Sequence, residues 1–401
     1  MKTIFAVTDC CLNVFCTALF LPVAIIVILL RPILVVRVGY FSADRIGHFS
    51  FDLEYYLSEK SLSENNKRYF DVFFLTGRVC NEQLQTMAKR QLRISNYFKY
   101  LWLAFYYISS SGKNLISPAR EVNNSRDREG IFQKCNHQLE FNDKEKQIGM
   151  TYLSSHGVDE NMSYVCLVVR DPSYLSSVGS KTKDWSYHSY RDSNLQDYKD
   201  ATIALARMGY TIFRMGKVVE SKLKVNHENV IDYATSDSRS DFLDMWLMAN
   251  CKFCISTALG LDAVASCFRR PILFVNALPL KHMLTSQEHV FVPKHLKWKQ
   301  TGVKLSVEEY LQHSYNSSVE YQNNGIEICS LAPLEIKNVA IEFARRVGNN
   351  WSESCEDRRW QQEFWKRLKQ WDGYDEWHSW IHPKARIGAD FIRENSKTFL
   401  G

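Results

Sequence analysis

Between residues 44 and 54 the chain gathers Asp44, Arg45, His48, Asp52 and Glu54 around Gly47. These types suit proton transfer. A general base must sit beside the hydroxyl it activates, with a pKa near the working pH. Imidazoles and carboxylates are the side chains most easily tuned there. His48, Asp44 and Asp52 are therefore the candidate catalytic residues, and Arg45 and Gly47 complete a loop suited to an acceptor. Each also has a plainer reading: Arg45 pairs with Asp44 or Glu54 on a solvated face, and His48 caps a helix.

A second group follows from residues 251–276, CKFCISTALGLDAVASCFRRPILFVN. The apolar run 253–255 predicts a buried strand, and Ser256 and Thr257 a polar turn. Gly260 allows a tight backbone there. Leu261, Val264 and Ala265 begin a helical period with Asp262 in its first turn, and a second strand follows Pro271 over 272–275. Ligands of α/β sheets sit at the carboxyl ends of strands, where a helix N-terminus offers unpaired amides to an anion. The spacing predicts a diphosphate cradle; an ordinary capped turn is the bland alternative. Arg170 closes the apolar run 163–169, and Arg214 and Lys217 close the run 210–213. Parallel topology would bring these ends to one rim. The phosphate-binding candidates are Arg170, Arg214, Lys217, Ser256, Thr257, Gly260 and Asp262, against the alternative of surface charge at loop ends.

The elements that must position them form two α/β domains, as a length of 401 residues suggests. Residues 32–130 read as strand 33–38, helix 52–59, strand 69–75, helix 83–95 and an aromatic stretch 97–108 that is either core or interfacial. A polar surface loop over 114–130 ends this domain. Residues 131–349 read as helix 141–155, strand 163–169, a long polar loop 173–193, helix 197–208, strands 210–213 and 230–233, and helix 241–248. In the tail, residues 350–401, Trp360, Phe364, Trp365, Leu368 and Trp371 recur at helical spacing. The plainer reading is a tail that crosses back over the first domain and packs by its tryptophans; an amphipathic membrane helix is the rival reading.

Residues 12–30 are almost continuously apolar and long enough to span or embed in a membrane. Pro22 would kink them. No small-residue cleavage site follows, so residues 1–31 read as an uncleaved anchor, with a cleaved signal or a buried core helix as alternatives. Arg31 and Arg37 outweigh Lys2 and place the body in the cytoplasm. A net charge of +6 lacks the concentrated basic stripe of a nucleic-acid binder and suits an anionic substrate or membrane surface. Eleven irregularly spaced cysteines indicate a reducing compartment. Cys251 and Cys254 lack the second pair that zinc would need. No DxD turn and no GxxxxGK[ST] loop is present, so neither a bound metal nor a cofactor is expected.

RIGHF at 45–49, VVRD at 168–171, HSYRDSNLQDYKDATIALARMGYTIFRMGK at 188–217 and SDFLDMWLMANCKFCISTALGLDAVASCFRRPILFVNALPL at 240–280 together resemble a sequence-defined family of bacterial glycosyltransferases from surface-polysaccharide gene contexts. The resemblance implies a GT-B-like α/β fold, two Rossmann-like domains facing a cleft, with the donor in the second domain and the acceptor in the first, and it makes a return across the first domain the expected route of the tail. It implies that Arg170, Arg214, Lys217 and the turn 256–262 meet the phosphates of a nucleotide-sugar, and that Arg45, Gly47 and His48 lie in the inter-domain loop. The chain departs from the pattern at Thr257-Ala258-Leu259, where a second hydroxyl is missing. The implied activity is metal-independent sugar transfer to a surface polysaccharide or lipid-linked glycan on the cytoplasmic side of the inner membrane. A nucleotide-sugar 2-epimerase on the same fold, or a non-catalytic assembly protein of a polysaccharide machine, are the alternatives.

Overall fold

Arg37 and Asp71 face each other in register on the first two strands of the computed structural model. They bond bidentately, Nε to Oδ1 and NH2 to Oδ2, each at 2.7 Å. The pair fixes the alignment of β1 (Val35–Ser42) with β2 (Tyr69–Thr76), because a slip of one residue would leave the buried Asp71 carboxylate without its guanidinium. Gly39 helps: a Cβ there would lie 2.6 Å from the Phe73 ring. With β3 (Arg93–Ile94) and β4 (Leu115–Ile116) these strands form a parallel sheet ordered β3-β2-β1-β4. Around it lie α1 (Lys2–Leu29), α2 (Ile46–Leu62), α3 (Glu82–Gln91), α4 (Phe98–Ile108) and α5 (Ala119–Asn123).

The structure describes residues 2–63, 68–108, 112–159, 162–170 and 186–401, with side chains from residue 14 and, in the last segment, from residue 189. They divide into two compact units, Met1–Ser125 with Gln138–Glu140, and Arg126–His137 with Phe141–Gly401. The boundary thus falls earlier than the expected 130/131. The return of 138–140 to the first unit has a cause. Glu54, buried on α2, accepts the amides of Gln138 at 2.9 Å and Leu139 at 3.0 Å.

The expected N-terminal helix is present. Among the described residues, however, no helix is long and apolar enough to cross a membrane. One side of α1 packs through Ala24, Phe20, Leu21, Val27 and Ile28 against Leu101, Ala104 and Phe105 of α4. The other side is bare: Val14, Phe15, Leu19 and Leu29 are 61–72% exposed. The aromatic stretch divides likewise, since Tyr97, Tyr106 and Tyr107 of this region face outward. Residues 97–108 thus bury one face and expose the other.

The second unit is built on seven parallel strands ordered β13-β10-β9-β8-β5-β6-β7. They are β5 (Tyr164–Val168), β6 (Thr211–Arg214), β7 (Val230–Ile231), β8 (Phe253–Ser256), β9 (Ile272–Val275), β10 (His289–Val292) and β13 (Arg386–Ile387). β5, β6, β8, β9 and β10 are buried throughout, which is why their centres read as apolar runs rather than as an alternation. An antiparallel pair, β11 (His295–Trp298) with β12 (Ile326–Cys329), stands apart from this sheet. The helices are α6 (Ile131–Lys134), α7 (Asp143–Ser155), α8 (Lys199–Arg207), α9 (Asp241–Asn250), α10 (Asp262–Cys267), α11 (Val307–Gln312), α12 (Ser318–Asn323), α13 (Pro333–Val347), α14 (Cys355–Gln370), α15 (Tyr374–Trp377) and α16 (Ala389–Phe399). Of the polar loop expected over 173–193, residues 173–185 lie outside the described residues.

The tail departs from its expected route. All of 350–401 belongs to the second unit. β13 adds to the sheet beside β10, and Gln361 clamps its Ile387 by both amide groups, at 2.7 and 3.1 Å. Phe364 and Leu368 are the buried part of the helical pattern. Periodicity announced a buried face on this helix but carried no information about which sheet would cover it.

Candidate functional site

Each parallel sheet reverses its winding at one place. In the first unit the chain runs outward from β1 to β2 and β3, then returns to place β4 on the other side of β1. In the second it runs from β5 to β6 and β7, then returns to place β8 against β5. Loops leaving the two strands at such a point diverge and leave a crevice, the usual ligand site of open α/β sheets. The loop 44–52 stands at the first of these points, and Arg170 with the turn 256–262 at the second.

In the first unit α2 begins at Ile46, six residues before the expected helical stretch. Arg45 at its N-cap makes no side-chain cap, so the sequence lacked the usual start signal. The earlier start puts His48 and Asp52 four residues apart on one helix face. Ser125, just past α5, lies between them: its hydroxyl donates to Asp52 Oδ1 at 3.3 Å and stands 3.0 Å from His48 Nδ1. The amide of Arg120 also donates to Asp52 Oδ1, at 3.0 Å, and its guanidinium bonds the Ser42 hydroxyl at the end of β1. Asp52 Oδ2 is buried with no partner. Burial raises the Asp52 carboxyl to about 7, against the lowering effect of its bonds to Ser125 and Arg120. Burial and the charges of Arg45 and Arg120 lower the His48 imidazole below its ordinary value. With one proton on Ser125 given to Asp52, His48 Nδ1–H must donate to Ser125, which leaves Nε2 as an acceptor. Asp44 is exposed where β1 ends, close to Gly77, whose added Cβ would meet Asp44 at 2.8 Å. It acts on His48 only through its charge. Arg45 is exposed, and Gly47 lies in the first turn of α2.

In the second unit the register pairs Val168 with Ser256 at the ends of β5 and β8. Just beyond, the Arg170 amide donates to Thr257 Oγ1 at 2.8 Å, and Arg170 Nε to Asp192 Oδ1 at 2.9 Å. Lys294, following β10, donates to the Asp192 carbonyl at 2.5 Å. Arg191 bonds the Ala258 carbonyl, and its Nε is buried without a partner. Burial lowers Lys294 to about 8 and also lowers Arg191. Three cations from three segments therefore gather at Asp192 and the turn 257–258, against Asp192 and Asp262. A fork of guanidinium donors with an ammonium suits phosphate oxygens.

The turn after β8 is built differently from its expectation. The left-handed residue is Ala258, at φ +59°, rather than Gly260. Ser256 donates to Asp262 Oδ2 at 2.6 Å, and the Leu259 amide to the same oxygen at 2.7 Å. Burial raises Asp262 to about 6. Ser256 and Asp262 therefore hold the turn, and α10 spans only six residues, so the cations rather than the helix end dominate this crevice. Arg214 is buried and pairs with Asp232 at 3.2 Å, and Lys217 pairs with Asp241 at 2.9 Å. Neither is joined to the Arg170 group by any described bond.

Arg120 and Ser125 carry no signal in the sequence, because residues 114–130 read as a plain surface loop. Arg191 and Asp192 sat in another polar loop. Lys294 alone left a signal, a basic residue one proline beyond the apolar run 290–292, close to the pattern that marked Arg170. Among the described residues no group of three or more His, Cys, Asp or Glu side chains is placed to hold a metal ion.

The sequence matches no protein-family profile and no curated protein. Solved structures similar to the chain include the glycosyl transferase family 9 from Veillonella parvula, 11% identical over 64% of this chain and 85% of that one, with a TM-score of 0.39. The E. coli ADP-heptose lipopolysaccharide heptosyltransferase II is 13% identical over 61% and 86%, at 0.34. The iron-containing dodecameric glycosyltransferase TibC of enterotoxigenic E. coli is 12% identical over 61% and 59%, at 0.33. Likenesses of this size do not fix a function, which has to come from the two crevices.

Proposed function

We propose that the chain is a glycosyltransferase that moves a sugar from a nucleotide-sugar to a glycan acceptor, a surface polysaccharide or a lipid-linked glycan. The observation that carries this reading is the convergence of Arg170, Arg191 and Lys294 at the β5/β8 switch point. In the proposed reaction these cations bind the donor's diphosphate and stabilise the charge that grows on it as the glycosidic C–O bond breaks, so that no metal is required. His48 Nε2 takes the proton of the acceptor hydroxyl as its oxygen attacks the anomeric carbon. The imidazolium so formed is stabilised through Ser125 by ionised Asp52. The second unit thus holds the donor and the first activates the acceptor.

The bare side of α1 and the exposed Tyr106 and Tyr107 of α4 support attachment of the first unit to a membrane surface. In the proposed setting that surface is the cytoplasmic face of the inner membrane.

Calorimetric titration with UDP-, GDP-, ADP- and CMP-sugars tests the reading. One of them is expected to bind, and R170A to weaken it by about tenfold or more, the loss of a charged hydrogen-bond partner. Absence of binding by every nucleotide-sugar to the full-length protein in detergent overturns it.

A further inference from the structure

Away from the Arg170 group, the second unit holds another set of cations with little acid beside them. Arg126 is 8% exposed and donates only to two carbonyls, those of His282 at 3.2 Å and Met283 at 3.4 Å. Its Nε is buried with no partner, and its guanidinium lies 4.9 Å from the centre of the Trp377 ring. Lys281 approaches the same ring, Nζ at 5.0 Å, and the His282 ring lies 5.0 Å away from it. His378 beside them is 1% exposed with both ring nitrogens unpartnered.

A buried guanidinium normally has a carboxylate, because the loss of hydration is otherwise poorly offset. Arg126 has none. The neighbouring Asp127 spends both oxygens on the amides of Ile131 and Phe132, at 2.7 and 2.9 Å. Trp377 offsets part of the charge through its π face, and the two carbonyls offset another part. The acids that act on Lys281 are Glu376 and Glu320; neither bonds to it. Burial accordingly pulls Arg126 down to about 10, and burial with the surrounding cations keeps His282 neutral. The charge of Arg191 acts on His282 as well.

From this geometry we infer that Arg126, Lys281 and His282 frame a second anion subsite, which takes a carboxylate or phosphate carried by the sugar substrate. The unpartnered Arg126 Nε and the Lys281 ammonium supply its donors, and Trp377 holds both cations in place. The ligand's identity as a sugar rests on the proposed transfer reaction; the charge of the subsite does not. The chain would then act on an acidic or phosphorylated sugar rather than a neutral one.

The test uses full-length R170A protein, in which the diphosphate crevice is weakened, titrated separately with inorganic phosphate and with glucuronate, and with glucose as the neutral control. One of the two anions is expected to bind where glucose does not, and K281Q added to R170A to weaken it about tenfold, the loss of one charged contact. Which anion binds tells a phosphate-bearing from a carboxylate-bearing substrate. R126Q is the stronger variant, but it removes a buried pin of the 280–283 turn, so K281Q decides. If neither anion binds, or both bind equally well with Lys281 replaced, the subsite is absent and Arg126 only holds the turn. Loss of all nucleotide-sugar binding in the wild type, with anion binding intact, would instead strike the transfer reaction and leave the subsite standing.

Discussion

The amide of Arg170 donates to the hydroxyl of Thr257 at 2.8 Å, so a side chain ties the end of β5 to the end of β8. Thr257 is 1% exposed, and the bond replaces the sheet ladder just where the strands diverge. Thr257→Val keeps the shape and removes the acceptor. A buried amide left unpaired costs about 1–3 kcal/mol, and that loss of stability is expected in urea denaturation. Nucleotide-sugar affinity should fall with it, since Arg170 is no longer fixed, while Thr257→Ser should retain both. A T257V protein as stable and as tight-binding as the parent would show the bond to be incidental.

Asp52 sets a pH dependence of stability whose sign can be worked out. Its carboxyl is raised from 3.8 to about 7 in the folded chain. Between those values the folded protein keeps a proton that the unfolded chain has released. Stability therefore falls as pH rises from about 4 to about 7, and levels off above. Asp52→Asn should flatten this slope in denaturation curves recorded across that range.

Activity should run the other way. Only ionised Asp52 stabilises the imidazolium on His48, so kcat/KM should climb to a plateau above pH 7. D52N should lose the climb, and H48A should lower kcat by about 10²–10⁴, the usual worth of a general base. Ser125→Ala keeps both end groups and breaks the link between them. Its expected signature is a fall in kcat with little change in KM. Full activity in S125A would mean that His48 works without Asp52.

Lys294 gives the matching limb for the donor. Burial lowers its ammonium from 10.5 to about 8. It is charged below pH 8 and neutral above, so affinity for a diphosphate should decline as pH passes through 8. In K294Q the affinity should be lower and flat over that interval, read by calorimetry at pH 7 and pH 9. An identical decline in K294Q would assign it to another group.

Strand identity was legible in the sequence because buried parallel strands are apolar throughout, as at 164–168 and 253–256. So was the rim: Arg170, Ser256, Thr257 and Asp262 all lie at the carboxyl ends of β5 and β8. What could not be read was pairing. Arg214, Lys217 and Arg170 all follow a strand and all meet a carboxylate, Asp232, Asp241 and Asp192, and nothing in a strand-end pattern tells which of them is joined by further cations from other loops. Nor could the helix start at Ile46 be seen without a capping side chain at Arg45, and with it the shared face of His48 and Asp52. Contacts across 73 residues, such as Ser125 to Asp52, exist only once β4 is placed beside β1.

The exposed side of α1 yields a prediction that needs no substrate. Leu19 and Leu29 are 61% and 72% exposed, and transferring a leucine side chain from water to an apolar medium is worth about 1.5–3 kcal/mol. Two such residues contribute enough to alter partitioning by about a hundredfold or more. The full-length protein should therefore sediment with anionic phospholipid vesicles, and L19E/L29E should stay in the supernatant. Because both positions already face water, the melting temperature in detergent-free buffer should hold steady or rise. Sedimentation of the double variant at wild-type level would place the membrane contact elsewhere. A wild-type protein that ignores vesicles of every composition would remove the membrane from the account, and the bare side of α1 would need a protein partner.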